Sequence, residues 1–241
     1  MPGATFVQAN SANYGDVGAG GDLPCAYTDP NGLGNIGLLW IVSEESEPPT
    51  TVTDTNDNTW YLLPSYTSET GFNVWYVCPS LHSGANTVTV STCDESAFGG
   101  PTLVVLEFEP PPCPLGACGI QAMQPQVTGS PFSTVVLENS SQYSASTGQF
   151  YHTLIVALWD QTNGFSDTAR TWSAVVPGDA LGGGICIQFG QPSGNNTGVI
   201  AYAFVAYPAV ANSVGFEPSP GTPAIDSREV KLSGVLISAV S

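Results

Sequence analysis

The chain has 241 residues, only 10% of them charged, and twenty Asp and Glu stand against three Lys and Arg (Arg170, Arg228, Lys231) for a formal net charge of −17. Phosphate backbones and anionic bilayers are held by clustered Lys and Arg, so nucleic acid and membrane surfaces are excluded as partners. Hydrophobic residues at 42% and aromatics at 10% exclude a disordered acidic tail and leave enough apolar material for a core.

The opening MPGATFVQAN lacks the basic and apolar regions of a secretory leader, which leads to the expectation of a chain used without one. No later run is long enough and apolar enough to span a bilayer as a helix. From there, short apolar or alternating runs follow one another: TFVQAN, IGLLWIVS, NTWYLLPS, FNVWYVCP, NTVTVSTC and TLVVLEFE, then STVVLEN, YHTLIVALW, RTWSAVV, GICIQFG and GVIAYAFVAY. Val, Ile, Tyr and Trp dominate them, and Gly, Pro, Asn, Asp and Ser separate them, which is strand and turn chemistry. No run carries helical period, length or caps.

A break at 110–126 (PPPCPLGACGIQAMQP) offers a domain boundary, but each side supplies only half a sandwich's strands. The expectation is therefore one all-β, antiparallel, jelly-roll-like β-sandwich over residues 1–207, built from both halves. A second break at 208–224 is rich in Pro and leads into EVKLSGVLISAV. Residues 208–241 then read as a Pro-rich linker and a C-terminal strand. That strand either closes its own sandwich or acts as an extended arm adding to a neighbour's sheet through Arg228, Lys231, Leu232, Val235 and Ile237. On the arm reading, truncation after Tyr207 spares the sandwich and harms assembly.

The six cysteines are even in number and permit three disulfides. Cys113 and Cys118 are close in a loop-like segment, Cys78 and Cys93 end one run and follow another, and Cys25 and Cys186 remain. Zinc is disfavoured by the CPLGAC spacing and by the scarcity of histidine, which is limited to His82 and His152. No cofactor is expected.

The segment TVTDTNDNTWYL raises a choice. Asp54, Asn56 and Asp57 are a calcium candidate, but no bidentate Glu follows at EF-hand spacing and the glycine is missing. The Asn and Asp residues equally suit a turn between two strands.

Nucleophile motifs are absent: in GQPSG, Ser193 stands one place too late for a nucleophile elbow. Glu107 and Glu109, two apart in LEFEP, share one face of an extended strand and form the best carboxylate pair for glycoside hydrolysis. Nothing completes that motif, and a non-enzyme is expected. Trp60, Tyr61 and Trp75 are candidates for stacking on sugars, the alternative being ordinary core packing.

Phe6-Val7-Gln8, the run Gly34-Asn35-Ile36-Gly37-Leu38-Leu39-Trp40, the stretch from Val52 to Tyr61, Trp75-Tyr76, Gly84-Ala85-Asn86-Thr87-Val88-Thr89-Val90 and Glu107-Phe108 resemble a loosely defined class of bacterial and phage β-sandwich modules. Their pattern is FVQ, GNLLVV, VTDSxGNTYT, WY, GANTVTV and EY. In the second half only YHTLIVAL fits it. The resemblance implies a jelly-roll-like sandwich, a turn at VTDTNDNTWY and no catalytic residues.

Together these features lead to the expectation of a non-enzymatic structural protein of an extracellular assembly, a phage virion decoration, cement or fibre-associated subunit. Its partners would be copies of itself or other virion or surface proteins. The alternatives are a secreted carbohydrate-binding or adhesive module that takes glycans, and a self-polymerising surface filament subunit.

Overall fold

The computed structural model describes residues 3–13, 21–43, 51–64, 72–91, 101–111, 118–123, 126–128, 134–136, 150–161, 172–175, 182–190, 196–207, 215–218 and 230–239. The described elements are strands paired antiparallel throughout, so the chain is all-β and sandwich-like. It forms two compact units, one made of Phe6–Pro110 with 191–193, the other of Met1–Thr5, Pro111–Gly190 and Gly194–Ser241. The Pro-rich break at 110–126 thus falls at a boundary between units.

In the first unit, β1 (Thr5–Asn13), β3 (Ile36–Ser43), β5 (Tyr61–Leu62), β6 (Phe72–Cys78) and β8 (Thr102–Glu109) form one sheet in the order β1-β8-β3-β6-β5. Three further strands, β2 (Leu23–Ala26), β4 (Thr51–Asp54) and β7 (Thr87–Ser91), form a second sheet in the order β2-β7-β4. Strand alternation puts Leu39, Ile41, Val74, Tyr76, Leu103 and Val105 of the first sheet against Leu23, Cys25, Val88 and Val90 of the second, and this is the core. Trp40 is fully buried, stacks on Trp75 at 6.1 Å and donates its indole N–H to the Asn73 side chain, so its polar end is satisfied. Strand β2 contains Pro24, which a ladder tolerates at the sheet edge that β2 occupies.

The turn after β4 is real, but it does not close a hairpin. Strand β4 pairs with β7 and strand β5 with β6, so Thr55–Trp60 carries the chain from one sheet to the other. Among the described residues of the run NTWYLLPS, Tyr61–Leu62 alone are strand.

In the second unit the main sheet has the order β14-β15-β12-β17-β9, from β9 (Cys118–Met123), β12 (Phe150–Gln161), β14 (Gly182–Gly190), β15 (Asn196–Tyr207) and β17 (Val230–Ala239). Two small ladders accompany it, β10 (Gln126–Thr128) with β11 (Thr134–Val136), and β13 (Trp172–Val175) with β16 (Gly215–Pro218). Leu154, Val156, Leu158, Val199, Ala201, Ala203 and Leu236 of the main sheet pack with Trp172 and Phe216 of the β13–β16 ladder. Edge strand β14 begins with three glycines and carries a bulge between Ile185 and Ile187, which weakens it as a template for foreign strands.

The C-terminal strand, which could close its own sandwich or serve as an arm, lies inside this sheet. Val235 pairs with Ile155 on one side and with Ala122 on the other, and Val235 and Ile237 are fully buried. Lys231 pairs with Trp159 and Leu232 with Leu158 in the same ladder, Leu232 packing half-buried on the core, while Arg228 lies outside the described residues. An alternating apolar segment goes where its apolar face finds cover, and here its own chain supplies it.

Candidate functional site

Among the described residues, the two side-chain clusters richest in polar contacts both belong to the first unit and both centre on a carboxylate. Glu107, near the end of β8, is fully buried. Its Oε1 accepts hydrogen bonds from the Gly32 backbone N–H at 2.8 Å and the Asn35 amide at 2.7 Å. Its Oε2 accepts from the Asn31 amide at 2.9 Å and from the Gln8 amide. Gln8 reaches on to the Asp29 backbone, donating to its carbonyl and accepting from its N–H. A buried carboxylate without such donors would cost several kcal/mol, of the order of 3–5, and four N–H groups offset that cost.

The cluster ties β1, the 29–35 loop and β8 together. Asn31 forms a reciprocal backbone bridge with Gly84, its N–H donating at 2.8 Å and its carbonyl accepting at 3.1 Å. Nearby Tyr27 donates its hydroxyl to the Leu106 carbonyl. Burial pushes the Tyr27 pKa well above the ordinary tyrosine value, and the Glu107 charge adds to the effect, so the hydroxyl stays a donor.

Asp54 is the second hub. Its Oδ1 accepts from the backbone N–H groups of Asn56 and Asn58, and its Oδ2 accepts from the side chains of Asn58, Trp60 and Asn86. Asp57 takes the left-handed conformation (φ 55°) that Asn and Asp tolerate. His82 is drawn in as well, through Nδ1 to the Asn56 carbonyl at 2.7 Å and through its backbone N–H to the Asn58 side chain. Both Asp54 oxygens are thus occupied by N–H donors that clasp the turn, and no group of three His, Cys, Asp or Glu side chains placed to hold a metal ion occurs among the described residues.

Partial burial raises the Asp54 pKa, but the hydrogen bonds from Asn58, Trp60 and Asn86 outweigh it and hold the carboxyl below the ordinary aspartate value. A folded pKa below the unfolded one, about 3.9, means stability that is complete above it and lost as the pH falls through the folded pKa. We expect Asp54→Asn to cost about 1–2 kcal/mol at pH 7. The gap to the unsubstituted protein should narrow below about pH 4. Urea titrations at a series of pH values check this, and a gap independent of pH would contradict it.

The other site expectations fall apart in space or outside the described residues. Glu109 is exposed while Glu107 is sealed under the 29–35 loop, so the two acids do not face one cleft. Trp75 is 3% exposed and has no face for a sugar, Trp60 is half-buried with its indole N–H on Asp54, and Tyr61 alone of the three is open, at 55%. Ser193 and the side chain of His152 are outside the described residues.

Cys25, Cys78 and Cys186 are free thiols, which removes them as disulfide partners in this structure; Cys93 and Cys113 lie outside the described residues, and Cys118 is placed only as the first residue of β9. Burial pushes the Cys25 thiol up to about 12 against a smaller opposing hydrogen bond at Val105, and burial likewise raises Cys186, so both are held as inert thiols.

Sequence reading singled out Asp54 and Glu107 but not the partners Gln8, Asn31, Gly32, Asn35 and Asn86. The signal was present in part: Gln8, Asn35 and Asn86 stand in the motif segments quoted for the first half. What it lacked was the pairing across 72 and 99 residues of sequence that joins Asn35 and Gln8 to Glu107. No family model, no curated protein and no solved structure matches this chain.

Proposed function

We propose that the chain is a non-catalytic structural subunit of an extracellular assembly, a decoration, cement or fibre-associated protein of a virion, with copies of itself or other particle proteins as partners. The observation that carries this reading is the use made of its two best acids: Asp54 and Glu107 spend both oxygens on loop N–H groups, as befits a scaffold. A formal charge of −17 with three basic residues adds solubility and keeps such a subunit off nucleic acid. The likeness of its first-half motifs to bacterial and phage sandwich modules points the same way.

Quantitative mass spectrometry of gradient-purified extracellular particles and of the particle-free culture fluid tests the proposal. Enrichment with the particle proteins supports it; recovery only in the soluble fluid sinks it.

A second reading, a secreted glycan-binding or adhesive module, is favoured by Tyr61, exposed beside half-buried Trp60. Tryptophan fluorescence across a glycan panel decides it: Trp60 should report a sugar seated on Tyr61, and a flat response removes the reading.

A further inference from the structure

The chain contains two Asn–Gly dipeptides, Asn31–Gly32 and Asn163–Gly164, the sequence in which an asparagine side chain most readily condenses with the following peptide nitrogen. Glycine permits this because no Cβ hinders the approach. At Asn31–Gly32 the surroundings assemble the groups the reaction needs. The nucleophile is the Gly32 nitrogen, and its N–H already points at Glu107 Oε1 at 2.8 Å. The leaving group is the Asn31 amide nitrogen, which sits on Oε2 of the same carboxylate at 2.9 Å. Nucleophile and leaving group are thus held on the two oxygens of one carboxylate.

Two further features act on the peptide itself. The Asn31 carbonyl, which belongs to the same peptide group as the Gly32 nitrogen, accepts a hydrogen bond from Gly84 N–H at 3.1 Å, and that bond makes the Gly32 N–H more acidic. The Asn31 side-chain oxygen is buried with no partner, so the amide is held in its starting state through its nitrogen alone. Gly32 is also sterically enforced: a Cβ there would lie 2.6 Å from the Asn35 amide nitrogen.

We propose that Asn31–Gly32 is a self-modification site at which Glu107 acts as acid and base to close a succinimide. Glu107 takes the proton from the Gly32 nitrogen, which attacks Asn31 Cγ and forms the new N–C bond. The tetrahedral carbon then breaks its bond to Nδ2, which takes the proton back from Glu107 and leaves as ammonia. No electrons change hands, and the product is lighter than the starting chain by one ammonia.

The imide persists once formed. Hydrolysis needs water at a residue that is 3% exposed, and it would place a new carboxylate beside buried Glu107, where like charge and desolvation both oppose it. The ring fixes the backbone of the 29–35 loop covalently.

The test uses the full chain, incubated at neutral pH either folded or unfolded in urea, followed by peptide mapping in mild acid and by hydroxylamine, which cleaves at an imide. Expected is loss of one ammonia at 31–32 in the folded chain, at least as fast as in the unfolded one, with hydroxylamine cleavage there. In the unfolded chain the same site should pass on to aspartate and isoaspartate. Asn163–Gly164 is mapped separately so that its products are not counted. An Asn31 that survives in the folded chain while it converts in urea overturns the proposal, as does a folded product that is already hydrolysed. Where Glu107→Gln retains cooperative unfolding, its imide formation should slow by about a hundredfold, the usual scale of general acid–base assistance. Formation at an undiminished rate in that folded variant would also overturn it.

Discussion

Glu107→Ala should destabilise the Phe6–Pro110 unit by about 4 kcal/mol or more, a large part of the 5–15 kcal/mol that holds a typical domain together. The argument rests on what is left behind. Removing the carboxylate strands the N–H groups of Gln8, Asn31, Gly32 and Asn35, and each buried donor without an acceptor costs about 1–3 kcal/mol. Not all four stay dry, because the loop can open and admit water, and that relaxation is why the expected figure starts at the low end of the simple sum. The same opening should expose Asn35 and raise amide exchange at Gly34 before any global unfolding. Guanidinium unfolding followed by tryptophan fluorescence reports on this unit through Trp40, Trp60 and Trp75. A change below about 1 kcal/mol would show that the hub is decorative, since that is the scale of an ordinary surface substitution.

Truncation after Tyr207 should unfold the second unit, the opposite of what an exchangeable arm would give. Strand β17 stands between β12 and β9, so its removal opens two ladders at once and strands β9 without a neighbour. Val235, Leu236 and Ile237 are buried to within 2% exposure, and losing three such side chains forfeits about 5–9 kcal/mol of apolar burial. The first unit has its own core and should keep its transition. Two-transition calorimetry of the full chain against the truncated one separates these outcomes: one transition lost and one retained is expected. A truncated chain with both transitions intact would show that the segment 230–239 is dispensable to its own sheet.

Residue chemistry alone fixed the class of the chain. β-branched and aromatic runs broken by Gly, Pro, Asn and Asp leave no helix to build, and β1, β3, β6, β7, β8, β12, β13, β14 and β15 fall where such runs are read, because strand-forming runs are local. The short strands β2, β10 and β16 escaped because three or four residues carry too little period, and β9 because it follows directly on a run of prolines and glycines. Asp54 was recognisable as a turn residue from the TNDN that follows it. Which sheet each flanking strand joins was not, because pairing is settled by the whole apolar face and not by the turn. Glu107 shows the limit most clearly. A Glu two residues from another at the end of an apolar strand reads as a candidate acid, and only the fold brings Gln8, Asn31, Gly32 and Asn35 around it, from 72 to 99 residues away, and turns it into a buried clasp. Sequence sets which groups exist and which faces must be buried; the tertiary structure decides which of those groups meet, because a carboxylate's role follows from the donors and the solvent around it.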